Sequence, residues 1–357
     1  MVNLNAEVKP ATRPKRPTLK TVAEACGLAV TTVSRALNDG EDIALKKRER
    51  VKRIAAELGY VPDRAGRGLR TGRSHVLGLV LAPHARISGY TAAIIAGLGD
   101  VCRANGYELL ITPEDPDADA LTTVQSLVEN RRADGVIISR IAPQDVRVRY
   151  LLESGFPFVT HGQTELATAH AFVDFDNQAF TQYAARHLAE RGRKRLQLVG
   201  APTHLTYGVQ MRTGFLRSVA QSGIDAIDPT DTLSIETPLP DIRAKMRALL
   251  RDPSRPDGVV CGGDLPALAV LGAIHDSGLV PGVDVDVFAK QTSDALDHVY
   301  PVIDTCFEDI AQTGRQLGEV LLKSVEGATP PAELTHIIAP DYRLRMQPLT
   351  SGSEHHG

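Results

Sequence analysis

At 357 residues the chain is too long for a single core, and two or three domains are expected. With 43% hydrophobic and 23% charged residues, no run of 18 apolar residues and no apolar stretch behind the basic start MVNLNAEVKPATRPKRP, it supports neither a membrane span nor a secretion signal, so a cytoplasmic protein is expected. The net charge of −3 is uneven: residues 1–75 hold 16 Lys and Arg against 8 Asp and Glu, the remainder 24 against 35, as expected when only one end meets phosphates.

Residues 1–17 carry Lys9, Arg13, Lys15 and Arg16 among three prolines and read as a disordered basic arm. Two short helices follow in residues 18–38, TLKTVAEACGLAVTTVSRALN, with Thr18 as a cap for the first. Val22, Ala23 and Cys26 repeat at helical spacing, Gly27 and Leu28 form the corner, and Val33, Ala36 and Leu37 stripe the second helix. Thr31, Thr32, Ser34 and Arg35 are left partly free, and a helix of this kind fits a DNA major groove. Arg35 is the candidate for a bidentate contact to guanine, worth about 1–3 kcal/mol of discrimination. Thr32, Ser34 and Asn38 suit phosphates. A third helix is expected near 46–58, with Val51, Ile54, Ala55 and Leu58 inward and Gly59 stopping it. Residues 18–62 thus form an all-α helix-turn-helix headpiece.

Residues 63–74 contain DRAGRGLR, in which Gly66 and Gly68 each cost a helix about 1 kcal/mol relative to alanine. Such a hinge gains helix only when something else supplies the energy.

From 75 to 345 short apolar strands alternate with amphipathic helices. Strands are expected at 76–81, 107–112, 135–139, 156–160, 196–200, 258–261 and 285–288. Helices are expected near 90–105, 118–130, 177–191, 206–222, 241–251 and 265–277. The alternation implies parallel, doubly wound sheets, too long a series for one sheet, hence an α/β body of two Rossmann-like lobes. The chain is expected to cross between lobes near 173–176, 302–306 and 330–335, with a helix at 309–325 returning to the first. The cleft between them, where strand C-termini converge, is the default ligand site. Residues 346–357 read as a flexible tail.

The four cysteines, Cys26, Cys102, Cys261 and Cys306, have no CxxC or Cys/His ligand spacing and read as core residues. No GxxxxGK[ST], GxSxG or HExxH occurs, and no GxGxxG follows a strand, so neither an enzyme nor a cofactor is expected. Asp174 and Asp176 in FVDFDNQAF form a paired-carboxylate pattern without a third ligand, and Asp176 reads as a helix cap.

Residues 18–38 resemble the headpiece of the LacI/GalR family of bacterial transcription regulators, with the pattern T-I-x-D-V-A-x-x-A-G-V-S-x-x-T-V-S-R-x-L-N, and the resemblance continues through ELGYVPDRAGRGLRTGRSHVLGLVL and loosely to about residue 345. Three positions depart from it: Thr21 replaces Asp, Cys26 replaces Ala, and Ala29 replaces the Ser that opens the second helix. Ala29 has no side-chain oxygen to cap that helix, at a cost of about 1 kcal/mol. The resemblance implies operator selection by Val30 and Thr31, a minor-groove hinge including Arg64 and Gly66, and a Leu69 wedge that kinks the duplex. It implies a periplasmic-binding-protein-like body that dimerises, with a tetramer as the alternative, on palindromic operator DNA. In the cleft it implies Arg212 against sugar hydroxyls.

Asp264 stands at the start of a second-lobe helix and either contacts ligand or caps that helix. By the resemblance, VDVFAKQTSDA takes the place of the family's V-x-G-F/Y-D-D, so that Gln291 stands where an aspartate commonly binds sugar, with Lys290 beside it. His161 and Gln163 face the cleft if the strand register is right, and Tyr207 either stacks on a ring or packs in the core. HGQTE, DFDN and AKQTSD most resemble the subgroup near rhizobial alpha-glucoside operon repressors. The function expected is a dimeric repressor of a sugar-utilisation operon, responsive to a mono- or disaccharide. The alternative is a cytoplasmic sugar-binding protein without a DNA role.

Overall fold

The computed structural model describes residues 17–38, 40, 42–60, 73–81, 89–115, 117–227, 233–300 and 303–345. Contacts divide the chain into two units, Met1–Ser74 and His75–Gly357.

The first unit holds three helices, α1 (Leu19–Cys26), α2 (Val30–Leu37) and α3 (Leu45–Glu57). Thr18 accepts from the Thr21 backbone while the Thr21 hydroxyl accepts from the Thr18 backbone, so one of the departures from the family pattern closes a capping box. Gly27, at φ 64°, ends α1 in the left-handed conformation that glycine adopts without strain. Ala29 makes no side-chain cap. Val22, Ala23, Cys26, Val33, Ala36, Val51 and Ala55 form the core of this unit. Leu58, expected inward, is 37% exposed: the helix proper stops at Glu57, and the turn to Gly59 points it outward.

The second unit is two α/β lobes, each built on a six-stranded sheet. The first sheet has the order β11-β5-β4-β3-β1-β2, from β1 (Val76–Leu81), β2 (Glu108–Pro113), β3 (Gly135–Ser139), β4 (Phe158–His161), β5 (Phe172–Phe175) and β11 (Thr335–Ile338), all parallel. The second has the order β12-β10-β9-β8-β6-β7, from β6 (Arg195–Val199), β7 (Asp225–Ala226), β8 (Gly258–Cys261), β9 (Asp286–Gln291), β10 (Asp304–Phe307) and β12 (Asp341–Arg343), with only β12 antiparallel.

Strand residues alternate between the two faces of each sheet. In the first lobe, Leu77, Leu79 and Ile137 pack with α4 (Gly89–Asn105) and α11 (Ile310–Glu326). Val80, Val136 and Ile138 pack on the other face with α5 (Ala120–Glu129) and α6 (Val146–Ser154). In the second lobe, Leu196, Leu198, Val260 and Phe288 face α7 (Asn177–Glu190) and α8 (Thr206–Ser222). Val259, Cys261 and Val287 face α9 (Leu239–Leu250) and α10 (Asp264–Asp276). Because both faces are covered, β1, β3 and β8 are nearly continuous apolar runs.

The chain crosses between lobes at Asp176, which caps α7 through the Ala179 amide, at residues 308–309, and at residues 339–340. The third crossing falls later than expected because Thr335–Ile338 first pairs with β5 in the first sheet. Helix α6 was not expected from the sequence, and neither were β5, β7, β10, β11 and β12 as strands. All four cysteines are buried and unpaired. Among the described residues no helix is long and apolar enough to cross a membrane.

Candidate functional site

In the first unit, Val33 and Ala36 anchor α2 in the core, which turns Val30, Thr31, Ser34, Arg35 and Asn38 onto one outer face. Val30 is 42% exposed, Thr31, Arg35 and Asn38 are exposed, and Thr32 and Ser34 are half-buried on its flank. The Arg35 guanidinium lies 2.5 Å from the Asp42 carboxylate in the turn before α3. The Asn38 amide donates to the Ser34 carbonyl at 2.6 Å, so the last turn of α2 is closed by its own side chain. Arg64, Gly66 and Leu69 lie outside the described residues, as do the basic arm through residue 16 and the tail from 346.

In the second unit, a polar cluster gathers where strands of both sheets end. His161 closes β4 and shares a 3.1 Å hydrogen bond between its Nδ1 and the Tyr90 hydroxyl at the start of α4, the two rings lying nearly parallel. Asp174, on β5, accepts from the Gln163 amide at 2.9 Å and from the Phe175 backbone at 2.8 Å. From the second lobe, Lys290 at the end of β9 lies 2.5 Å from Glu308, the residue after β10. Lys290 also donates to the Asn177 side-chain oxygen at 3.3 Å and sits 4.0 Å from the Phe175 ring centre. Tyr207, half-buried on α8, stands near Arg140 of the first lobe.

Electrostatics tie the two walls together. Burial pushes the Tyr90 hydroxyl well above its ordinary pKa, and the negative charges of Glu308 and Asp174 push the same way. Burial lowers the pKa of His161 and so favours a neutral imidazole, although Glu308 and Asp174 oppose that shift. Burial raises the Asp174 carboxyl, with Gln163 and His161 opposing.

Two expected ligand residues have other occupations. Gln291 is fully buried: its amide donates to the Ser293 carbonyl and to Asp297, and its oxygen accepts from Thr305. Asp264 does not cap its own helix; its carboxylate accepts from the backbone and hydroxyl of Thr292 and from the Ser293 hydroxyl. Both hold the 291–297 segment against the second lobe, because a buried polar group needs internal partners. Arg212 is half-buried on α8 and engaged with a neighbouring group.

Tyr90, Asn177 and Glu308 escaped the sequence reading. The available signal was position for Asn177 and Glu308, which directly follow a lobe crossing and a strand end, where parallel sheets place their ligand residues; Tyr90, in the first turn of α4, carried no such signal. No group of three or more His, Cys, Asp or Glu among the described residues is placed to hold a metal ion.

The lobes are also joined by a Thr206 amide donating to the Ile141 carbonyl at 2.9 Å and by an ion pair between Arg140 and Glu236. Arg140 takes a positive φ of 56°, and its carbonyl, with that of Ser139, accepts from the buried Arg147 guanidinium. Arg147 is itself clamped by Glu114 and Asp145.

Comparison with known proteins agrees with this architecture. Residues 18–63 match the family described as bacterial regulatory proteins, lacI family, and residues 185–345 match the periplasmic binding protein-like domain. The chain is 33% identical over 288 residues to the HTH-type transcriptional regulator AglR of Rhizobium meliloti (strain 1021), covering 80% of this chain and 79% of that one. It is 30% identical over 321 residues to the HTH-type transcriptional regulator RafR of Escherichia coli, covering 87% and 93%. A structure of the transcriptional regulator CelR with cellobiose aligns over 93% of this chain and 99% of that one, with a TM-score of 0.67 at 25% identity. The lac repressor dimer bound to operator and the anti-inducer ONPF shares the fold, with a TM-score of 0.81 at 21% identity over 94% of this chain and all of that one. A helix-turn-helix unit with an exposed second helix, followed by a two-lobed α/β unit with a polar inter-lobe cluster, together with these matches, establishes that the chain belongs to the lacI family of bacterial transcription regulators.

Proposed function

We propose that this regulator is a dimeric repressor of a sugar-utilisation operon, released from a palindromic operator when a mono- or disaccharide occupies the inter-lobe cleft. The observation that carries the effector half is the convergence of Tyr90, His161, Gln163 and Asp174 from one lobe with Tyr207, Lys290 and Glu308 from the other. Hydroxyl, imidazole, amide and carboxylate groups beside aromatic rings are the chemistry that grips a polyol and its C–H face. AglR and RafR as relatives, and a relative's complex with cellobiose, support a glycoside as the ligand class. Release requires that the sugar prefer the lobe arrangement incompatible with DNA; moving occupancy from 99:1 to 1:99 takes about a 10⁴-fold preference.

On the DNA side, the exposed face of α2 would read the major groove, with Arg35 on a guanine, Val30 and Thr31 selecting neighbouring bases, and Thr32, Ser34 and Asn38 against phosphates. Arg35 must leave Asp42 to do so. Residues Arg64, Gly66 and Leu69 would act as a hinge that orders on DNA, with Leu69 wedged at the operator centre.

The test has two arms. A thermal-shift screen of the full chain against mono- and disaccharides should show a ligand-dependent rise in melting temperature. An operator selected from random DNA should be an inverted repeat, and the stabilising sugar should dissociate it. Arg35→Ala should cost about 1–3 kcal/mol at the selected operator, with a smaller loss on random duplex. Selection that returns no inverted repeat, or equal losses on both DNAs, would overturn the DNA half.

A further inference from the structure

The reading of the cleft as a sugar site leaves one group unexplained. Glu308 is 1% exposed, and its backbone amide donates to the Gln291 carbonyl at 2.9 Å, extending the β9–β10 ladder and fixing where the side chain starts. The Lys290 ammonium meets Oε2, while Oε1 accepts a hydrogen bond from no described residue. Its charge is offset by Lys290, 2.5 Å from one oxygen. An ionised carboxylate offers about four lone-pair directions. Leaving those of Oε1 empty in the interior is costly unless something else fills them.

The partner that offsets the charge is already committed. Lys290 is buried, donates to Asn177 at 3.3 Å and lies over the Phe175 ring at 4.0 Å. The opposite wall adds Asp174, a second carboxyl group, and a His161 whose protonated form burial disfavours. Glu308, Asp174 and Lys290 thus set two carboxyl groups against one engaged ammonium, and Arg212, the cation that the family resemblance implies for the cleft, already engages a neighbouring group. Hydroxyl donors suit such a site, whereas an added phosphate or carboxylate would face like charge in a medium that screens it poorly.

We propose that Glu308 accepts ligand hydroxyls at the floor of the cleft, and that the Glu308–Asp174 pair restricts the effector to uncharged polyhydroxylated molecules, rejecting phosphorylated and carboxylated sugars. This rests on the sugar reading above and sharpens it. Lys290 acts here as a positioning residue, holding the Glu308 carboxylate in place through its 2.5 Å contact.

The test titrates the full chain by calorimetry with sucrose, trehalose and maltose, each beside its 6-phosphate, and with glucose beside glucose 6-phosphate and glucuronate. The expected result is that at least one neutral sugar binds and that its charged derivatives bind at least about 100-fold more weakly, or about 2.7 kcal/mol. Glu308→Gln alone strands the Lys290 charge, so the informative variant is the pair Lys290→Met and Glu308→Gln, with folding checked by its thermal transition. It should bind the neutral sugar at least tenfold more weakly and discriminate less against the phosphate. A charged sugar binding as tightly as its neutral parent overturns this inference and leaves the sugar reading standing, and so does a folded double variant within twofold of wild-type affinity. If no sugar in either set binds, the sugar reading falls and this inference with it.

Discussion

His170 is 5% exposed, stacked on Phe158 at 5.7 Å and 3.1 Å from the Thr160 hydroxyl, in the interior of the first lobe. Burial lowers its pKa, with Asp145 opposing. A folded-state pKa below the unfolded value means that the unfolded chain binds the extra proton first. The stability contributed is complete above the unfolded value of about 6.5 and is lost as pH falls through the folded one. His161 acts with the same sign, whereas Asp174 and Asp264, both raised by burial, act with the opposite one. The melting temperature is thus expected to fall more steeply on acidification below pH about 6.5 in wild type than in His170→Phe. Coincident curves would show that His170 contributes no linkage. Single residues of this kind were only partly legible beforehand. The HGQTE stretch identified a strand end with His161 and Gln163, but nothing in FEDI said that the Glu308 carboxylate is buried beside Lys290 with its second oxygen unmatched.

Gly97 and Gly99 of helix α4 have opposite environments. A Cβ on Gly97 would sit 2.0 Å from the Ala311 carbonyl oxygen of α11, and Gly314 of α11 makes a reciprocal close approach to the Ile94 carbonyl. A Cβ on Gly99 meets nothing within 4 Å. Gly97→Ala must therefore push the two helices apart, and a loss of at least about 3 kcal/mol is expected, at the upper end of overpacking costs. Gly99→Ala should instead gain about 0.5–1 kcal/mol from reduced chain entropy in a helix. Denaturant unfolding of the two variants checks this, and equal effects would sink the assignment of Gly97 to helix contact. At this scale β1, β3 and β8 were readable because burial on both faces makes them nearly continuous apolar runs. Others were not: THII and DYR are edge strands with no neighbouring strand on one side, the interior strand DTCF carries Asp304 and Thr305 on polar partners, and all three read as connections.

For the whole effector unit, closure is held at its rim by the Arg140–Glu236 ion pair and the Thr206–Ile141 hydrogen bond. The pair is partly open to solvent, at 29% and 31% side-chain exposure, so its contribution is about 1 kcal/mol at most. Glu236→Gln should shift the closed-to-open ratio by up to about fivefold toward open. Small-angle scattering of the unliganded chain would show a larger radius of gyration. The charge swap Arg140→Glu with Glu236→Arg should restore much of the wild-type value. An unchanged radius in all three proteins would show that the pair does not govern closure.

Helix periodicity in residues 18–38, the basic quarter and the βα alternation were enough to specify a DNA-reading headpiece on a two-lobed α/β body, because each depends on spacing along the chain. Which polar groups meet across the cleft was decided only by the tertiary structure. Gln291 and Asp264 turned inward to support a loop, while Tyr90 and Glu308, 218 positions apart, came into one electrostatic neighbourhood. Three lobe crossings bring distant strand ends together, and no local pattern records a contact whose partners are separated by that much chain.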